Sequence, residues 1–311
     1  MKVLTIGNGF VADHLPYEKI NERLYLDDSF VRFILDHFKP DVLINCIGKT
    51  GRPNVDWCET HKEETASANV AIPVMLAQEC QKKSIRLIQI GSGCIYFGES
   101  PNYHYVQNDG SPMPERILNG QAGSWAQSIK ILHPLQKIEN GWREEDFANP
   151  KSFYSKTKYA CDLALGGMNL VTTLRIRMPV SVQNNPRNLI NKLRGYKQII
   201  DIPNSMTFMK DLTKCIQWAI DKDQTGVFHV VNPEPLTAVQ IMKEFQKYVP
   251  KHQFEIISEE QLDNLTTAKR SNCILNTDKL SAAGFQMTHS EQALKECMSD
   301  YMKNFKWSDN V

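Results

Sequence analysis

Tyr154 and Lys158 lie four residues apart in "YSKTK", a spacing that puts them on one face of a helix with an ammonium beside a phenol. The positive charge is expected to lower the phenol's pKa, letting tyrosine hand a proton to a carbonyl oxygen as hydride reaches the carbon. The same spacing also arises by chance on helix surfaces. "SGCIY", residues 92–96, sets a hydroxyl and a thiol two positions apart after the strand-like run 85–90. If the strand continues, Ser92 and Cys94 face the same way. A serine beside that tyrosine and lysine makes a carbonyl reductase, a chemistry with no evident use for a thiol.

A third feature stands at the start of the chain. In "GNGFVA", Gly7, Gly9 and Ala12 fit the pattern G-x-G-x-x-A, with Phe10 inside the turn. The glycines would let the backbone turn tightly against a pyrophosphate, whose charge the N-terminus of a following helix would neutralise. A plain turn is the competing reading. An acidic residue about 20 positions on would grip the ribose 2′-hydroxyl of NAD. Here "YEKINERLY" offers Lys19 and Arg23 for the 2′-phosphate of NADP, against Glu18 and Glu22 and the alternative of a solvated charge cluster.

These side chains need a frame. "VLTI" ends at Gly7, "SFVRFILDHF" reads as a helix, and "DVLINCIG", ending at Gly48, as a strand covered on both faces. A helix through "ANVAIPVMLAQECQKK" leads to the strand "IRLIQIGS"; a helix opened by Ser152 leads to "VTTLRIRMP", stopped by Pro179. Strands alternating with helices of this length imply a parallel sheet with right-handed crossovers, a doubly wound α/β fold of Rossmann type. The expected division is a cofactor domain over 1–178, rejoined by 208–231 through "GVFHVVNP", and a smaller C-terminal substrate lobe from 179–207 and 232–303.

Composition narrows the class. With 36 Lys+Arg against 35 Asp+Glu, the chain lacks the basic excess of a nucleic-acid binder. No apolar run approaches the roughly 20 residues needed to span a bilayer, so no membrane is expected. "MKVLTIGNGF" reads as a first strand and not a signal peptide. Eight cysteines without CxxC or ligand spacing argue against a metal site or disulfide framework and for reduced thiols in the cytoplasm.

The glycine turn, serine and YxxxK pair have the order and separation of a short-chain dehydrogenase/reductase. "TGRPNVDWCE" (50–59), "SGCIY", "SFYSKTK", "LRIRMP", "NPRNLINK", "DIPNSMT" and "RSNCILNTDKL" narrow this further. Together they resemble the bifunctional UDP-4-keto-6-deoxyglucose 3,5-epimerase/4-reductases of UDP-rhamnose synthesis and, more distantly, dTDP-4-dehydrorhamnose reductase and GDP-fucose synthase. The similarity runs to about Leu280. It implies an extended Rossmann reductase fold, NADPH or NADH as hydride donor and a nucleotide-sugar substrate.

Residue by residue, the resemblance implies that Tyr154 donates the proton, Lys158 tunes it and holds the nicotinamide ribose, and Ser92 binds the substrate oxygen. Cys94 stands where GDP-fucose synthase carries its epimerisation base; its acid partner would be Lys192. The plainer alternatives are a small buried hydrophobe for Cys94 and a helix-surface lysine for Lys192. Protons at carbons 3 and 5 of a 4-keto sugar are acidic because the carbonyl delocalises the carbanion, so one pocket would serve inversion and reduction. Arg187 and Arg270 are candidates for the diphosphate or for structural ion pairs, and Asn188 for a sugar or uracil contact. Arg52 and Asn54 fall after a strand, on the ligand side of an open sheet, although Pro53-Asn54 also suits a turn. Met178 and Pro179 are expected at the nicotinamide, although Pro179 also suits a plain strand stop; Asn69 would orient backbone or water near the lysine or merely precede a helix.

The chain departs from the family where "GNGFVA" replaces G-x-x-G-x-x-G, where the segment to Asp41 is short, and in an insertion over about 100–132 that would be a lid, a passive loop or an oligomer contact. The expectation is a cytoplasmic NADPH-dependent enzyme that makes UDP-L-rhamnose downstream of a UDP-glucose 4,6-dehydratase, with a homodimer among the assemblies open to it. A reductase without epimerase activity, or a non-catalytic NADP-binding subunit, are the alternatives.

Overall fold

Short apolar runs become strands. A computed structural model describes residues 1–106 and 136–305. Six parallel strands, β1 (Val3–Ile6), β2 (Glu18–Ile20), β3 (Val42–Asn45), β4 (Arg86–Ser92), β5 (Val171–Ile176) and β6 (Gly226–His229), form one sheet in the order 6-5-4-3-1-2. β3 and β5 are buried along their whole length, as strands covered on both faces are, with Asn45, Thr172, Thr173 and Arg175 buried among their apolar residues.

The principal helices are α1 (Asp28–Phe38), α2 (Ile72–Lys82), α3 (Phe153–Leu165), α4 (Leu189–Gly195), α5 (Met209–Asp221), α6 (Ala238–Gln246) and α7 (Ser290–Lys303). α1, α2 and α3 bury Val31, Leu76 and Cys161 against Leu4, Leu43 and Leu87 on one face of the sheet. α5 buries Leu212, Ile216 and Ala219 against Ile44, Ile88 and Leu174 on the other. Asp27 caps α1 by accepting from the amides of Ser29 (3.0 Å) and Phe30 (3.3 Å). A separate apolar cluster joins Ile190 and Leu193 of α4 to Met242 and Phe245 of α6 and Leu294 and Met298 of α7, and forms the lobe. The chain enters it at Pro179-Val180, paired with Thr207-Phe208.

The sheet order reverses between β1 and β3, so the crevice at their carboxyl ends is where an open α/β sheet takes a ligand. Gly7 turns there at φ +105°, and a Cβ on it would stand 3.1 Å from the Cys46 carbonyl carbon and the Ile47 nitrogen. A side chain there would press on the second turn, which would have to give by a few tenths of an ångström.

Beyond this turn the backbone departs from expectation. Residues 7–17 are all that join β1 to β2, and among them Ala12–His14 make a single 3-10 turn instead of an α-helix. Eleven residues are close to the minimum for a parallel crossover, at about a dozen, leaving no length for a full helix. The expected helix N-terminus for a pyrophosphate is therefore lacking among the described residues, and anion contacts there fall to the amides of the turn itself. Of the insertion, residues 107–132 lie outside the described residues. Tyr103–Val106 at its near end pairs antiparallel with Gln136–Glu139.

Candidate active site

The first turn of α3 is built from small hydroxyls. Ser152 caps it, accepting from the Ser155 amide at 3.2 Å, and donates to Ser155 Oγ at 2.8 Å. Ser155 Oγ in turn donates to the Cys94 carbonyl at 2.6 Å. The orphan amide of Phe153 is satisfied by Glu59 Oε1 at 2.8 Å. These bonds lock the helix that carries Tyr154 to the turn after β4, and so bring Tyr154 to Ser92 and Cys94.

The thiol and hydroxyl are neighbours for a reason other than strand alternation. β4 ends at Ser92, and Cys94 lies in the turn beyond. Its amide donates to Ser92 Oγ at 3.2 Å, which folds residue 94 back onto the serine. Cys94 is half-buried, whereas Ile95 and Tyr96 beside it are fully buried. The buried-hydrophobe alternative therefore describes its neighbours and not Cys94.

Tyr154 is buried, and burial is the main reason its phenol pKa is raised; the nearby Cys94 adds to the rise and a hydrogen bond with Ser92 opposes it. The net lowering expected from Lys158 is not seen: desolvation dominates and the phenol is raised. Lys158 is itself buried and donates to the Ile90 carbonyl at 3.3 Å. Its Nζ stands 3.9 Å from where a Cβ on Gly48 would be, so the ammonium borders the crevice between β1 and β3.

Lys192, on α4, is brought to the same mouth from the lobe. Burial lowers its pKa, the charge of Arg187 lowers it further, and Cys94 acts in the opposite direction. Arg187 donates to Thr50 Oγ1 at 2.7 Å; burial and then the charge of Arg52 lower its own pKa. Lys192, Arg187 and Arg52 form no ion pair among the described residues, and the cations repel one another, Arg52 lowering the pKa of Arg187 and Arg187 that of Lys192.

Other expected contacts are corrected. Asn188 is fully buried and caps α4: its Oδ1 accepts from the amides of Ser181 (3.1 Å) and Ile190 (3.4 Å), and its Nδ2 donates to the carbonyls of Ser181 (2.7 Å) and Gln183 (2.8 Å). Nothing remains of it for a sugar or uracil. Arg270 is the ion pair and not the diphosphate ligand, since both Nη atoms meet Asp56 at 2.9 Å. Asn54 Oδ1 accepts from the Asp56 amide at 2.8 Å, the turn reading of Pro53-Asn54. Lys19 pairs with Asp13 at 2.7 Å and is not a free cation. Arg23 stays exposed just past β2, over the ring of Tyr25. The Phe10 ring is buried in the core, so only its backbone is available to a cofactor. Met178, at φ +42°, and Pro179 remain at the carboxyl end of β5, half-buried.

Asn69 does orient backbone: it accepts from the Lys49 amide at 2.7 Å and donates to the Lys49 carbonyl at 3.0 Å and to Thr157 Oγ1 at 3.1 Å. Thr157 donates to the Tyr154 carbonyl at 2.7 Å. Sequence reasoning missed Ser155, Thr157 and Glu59. The hydroxyls inside "YSKTK" were a readable signal; the reach of Glu59 across the fold was not.

The crevice fits a dinucleotide. A Cβ on Gly9 would have nothing within 4 Å, leaving open space against the backbone, and the Lys158 ammonium flanks the opposite wall at Gly48. Residues 18–118 match the RmlD substrate binding domain family. A UDP-rhamnose synthase of Acanthamoeba polyphaga mimivirus has a similar crystal structure, with TM-score 0.79 at 27% identity over 96% of this chain and 99% of that one. A trifunctional UDP-glucose 4,6-dehydratase/UDP-4-keto-6-deoxy-D-glucose 3,5-epimerase/UDP-4-keto-L-rhamnose-reductase of Arabidopsis thaliana is 32% identical over 86% of this chain, which spans 36% of that longer protein. The bifunctional dTDP-4-dehydrorhamnose 3,5-epimerase/dTDP-4-dehydrorhamnose reductase of the same plant is 34% identical over 88% of this chain and 81% of its own length. On that similarity, carried through nearly the whole of both chains, the protein belongs to the family of bifunctional 4-dehydrorhamnose 3,5-epimerase/reductases.

Proposed function

We propose that the protein inverts carbons 3 and 5 of UDP-4-keto-6-deoxy-D-glucose and reduces the 4-keto group to give UDP-L-rhamnose. The observation that carries this reading is the convergence of Ser92, Cys94, Tyr154 and Lys192 on one mouth, beside the cations Arg187 and Arg52, which have no ion-pair partner among the described residues.

In the inversion, Cys94 as thiolate takes the proton from carbon 3 and the electron pair moves to the 4-oxygen, where Ser92 and Tyr154 hold it by hydrogen bonds. Lys192 returns a proton to carbon 3 on the opposite face. Cys94 has gained a proton and Lys192 lost one, so solvent resets the pair before carbon 5 is treated alike. The depressed pKa of Lys192 suits that duty, because an ammonium at its ordinary value is a poor acid near neutrality. Arg187 and Arg52 bind the diphosphate.

In the reduction, bound NADPH supplies hydride to carbon 4. Tyr154 gives its proton to the 4-oxygen, and Lys158 holds the ribose and keeps positive charge near the phenol. The proposed preference for NADPH rests on Arg23, the exposed cation just beyond β2, which would pair with a ribose 2′-phosphate. The 4-keto-6-deoxy substrate has to come from a 4,6-dehydratase, and the trifunctional Arabidopsis relative bears that name in one chain. Eight free thiols fit a reducing cytoplasm, and a homodimer is the assembly proposed.

Incubation with UDP-4-keto-6-deoxy-D-glucose and either NADPH or NADH, with the product sugar identified by NMR, tests this reading. UDP-L-rhamnose supports it. Formation of a 4-reduced sugar with carbons 3 and 5 unchanged leaves a reductase alone, and absence of cofactor oxidation removes both. Arg23→Ala is expected to raise the Kd for NADPH while leaving that for NADH unchanged.

A further inference from the structure

Asn45 on β3 and Gln89 on β4 face each other in register and are both fully buried in the sheet. Asn45 Nδ2 donates to Gln89 Oε1 at 2.7 Å, and Asn45 Oδ1 accepts from the Ile47 amide at 2.9 Å. Gln89 Nε2 donates to the Ile90 carbonyl at 2.9 Å, the same oxygen that receives the Lys158 ammonium at 3.3 Å. Two amides in a sheet core cost stability unless bonded, and an apolar pair would fill the space without that risk. What this pair adds is position. One end holds the carbonyl to which Lys158 is tied, and the other fixes the turn through Ile47 to Gly48 that faces the ammonium.

We infer that Gln89, supported by Asn45, is a positioning residue for the reduction, acting through the Ile90 carbonyl on Lys158. This rests on the proposed assignment of Lys158 to the cofactor ribose and of Tyr154 to proton donation. From α3 itself, Tyr154, Cys161 and Asp162 are the ionisable groups near the ammonium. Asp162 is bound to Arg175 at 2.7 Å, so its charge is largely committed elsewhere. From β4 comes the Ile90 carbonyl, and from the opposing turn Gly48 with the Asn69 side chain. The Ile90 carbonyl thus anchors the ammonium by a hydrogen bond, and Gln89 is the second donor to the same oxygen.

The test uses Gln89→Leu, which removes both bonds, and Gln89→Glu, which keeps the Asn45 bond and can donate to Ile90 only when protonated. NADPH affinity is read by fluorescence, reduction of pre-epimerised substrate is followed against pH, and deuterium exchange at carbons 3 and 5 is read by NMR. For Gln89→Leu the expected result is a Kd for NADPH raised about tenfold and a basic limb of the reduction profile moved up by about one pH unit, with exchange within about threefold of wild type. Gln89→Glu is expected to approach wild type at the acid end of the profile and to lose affinity as pH rises. Unchanged affinity and pH limb overturn the inference, as does a parallel loss of exchange and reduction in a variant that keeps the wild-type Tm. If Gln89→Leu does not fold, Gln89→Glu decides alone. A wild-type protein that binds NADPH but makes no UDP-L-rhamnose sinks the proposed function, while the affinities of the two variants still decide the role of Gln89.

Discussion

Ser155 donates through Oγ to the Cys94 carbonyl at 2.6 Å, so the residue next to the tyrosine fixes the turn that bears the thiol. In the proposed mechanism, the acid for the 4-oxygen and the base for the ring carbons are thereby set by one hydroxyl. Ser155→Ala is expected to cost about 1 kcal/mol of stability, the ordinary worth of one hydrogen bond. Both ring-proton exchange and reduction should fall about tenfold, since small misplacements of reacting groups are amplified in rate. Urea denaturation with the two assays checks this; loss confined to one reaction would show that the turn and the helix are set independently.

Under the proposed mechanism, Cys94 and Tyr154 divide the chemistry although they share a pocket. Cys94→Ala should abolish deuterium exchange at carbons 3 and 5, by the factor of about 10²–10⁴ that a general base supplies. Reduction of substrate already inverted at both centres should remain within severalfold of wild type. Tyr154→Phe should give the reverse pattern most strongly in reduction. Separate NMR assays of exchange and product formation distinguish the two.

Much of this arrangement is legible in the sequence, and the illegible part has a pattern. YxxxK, the serine strand and the alternation of apolar runs are local: each is fixed by helix or strand periodicity, and each appears where expected. Asn188 and Arg270 failed because their partners are decided by the fold. Asn188 lies at the start of a helix, where a capping duty with buried amides outcompetes any ligand. Arg270 meets Asp56 from 214 positions away, a distance no spacing argument crosses. The missing helix after Gly9 was readable from the short segment before β2, which allows a turn and little else.

Gly7 and Gly9 differ in what a methyl group would meet, which separates folding from binding. At Gly7 the backbone has φ +105° and a Cβ would press on the turn at Cys46 and Ile47, so Gly7→Ala should cost roughly 1–3 kcal/mol from backbone strain alone. At Gly9 a Cβ enters open space, so Gly9→Ala should leave Tm unchanged while weakening NADPH binding through the approach it blocks. Thermal denaturation without cofactor, followed by titration with NADPH, tests both. Equal loss of Tm in the two variants would show that the Gly9 turn is structural and not a cofactor cradle.

His229, the last residue of β6, makes the stability of the molecule depend on pH. It is fully buried on β6; Arg175 Nη1 faces its Nε2 at 3.2 Å and the Asn276 carbonyl faces its Nδ1 at 3.2 Å. The guanidinium has only hydrogens to offer, so Nε2 accepts and Nδ1 carries the proton, which fixes the neutral tautomer. Burial, and then the charge of Arg175, hold its pKa well below the ordinary 6.5. Unfolding frees the imidazole to protonate, so the unfolded chain binds more protons than the native one as pH falls below about 6.5, and stability must fall with it. The limiting slope for one such group is about 1.4 kcal/mol per pH unit. Glu144 opposes this at lower pH, because burial raises its pKa and native protonation then favours the fold. His229→Gln keeps an acceptor for Arg175 and a donor for Asn276 but cannot titrate. The difference in unfolding free energy between wild type and this variant, measured by urea denaturation from pH 7.5 to 5.5, should be flat above about 6.5 and decline below it; a difference independent of pH would mean that the imidazole titrates in the fold as it does in the unfolded chain.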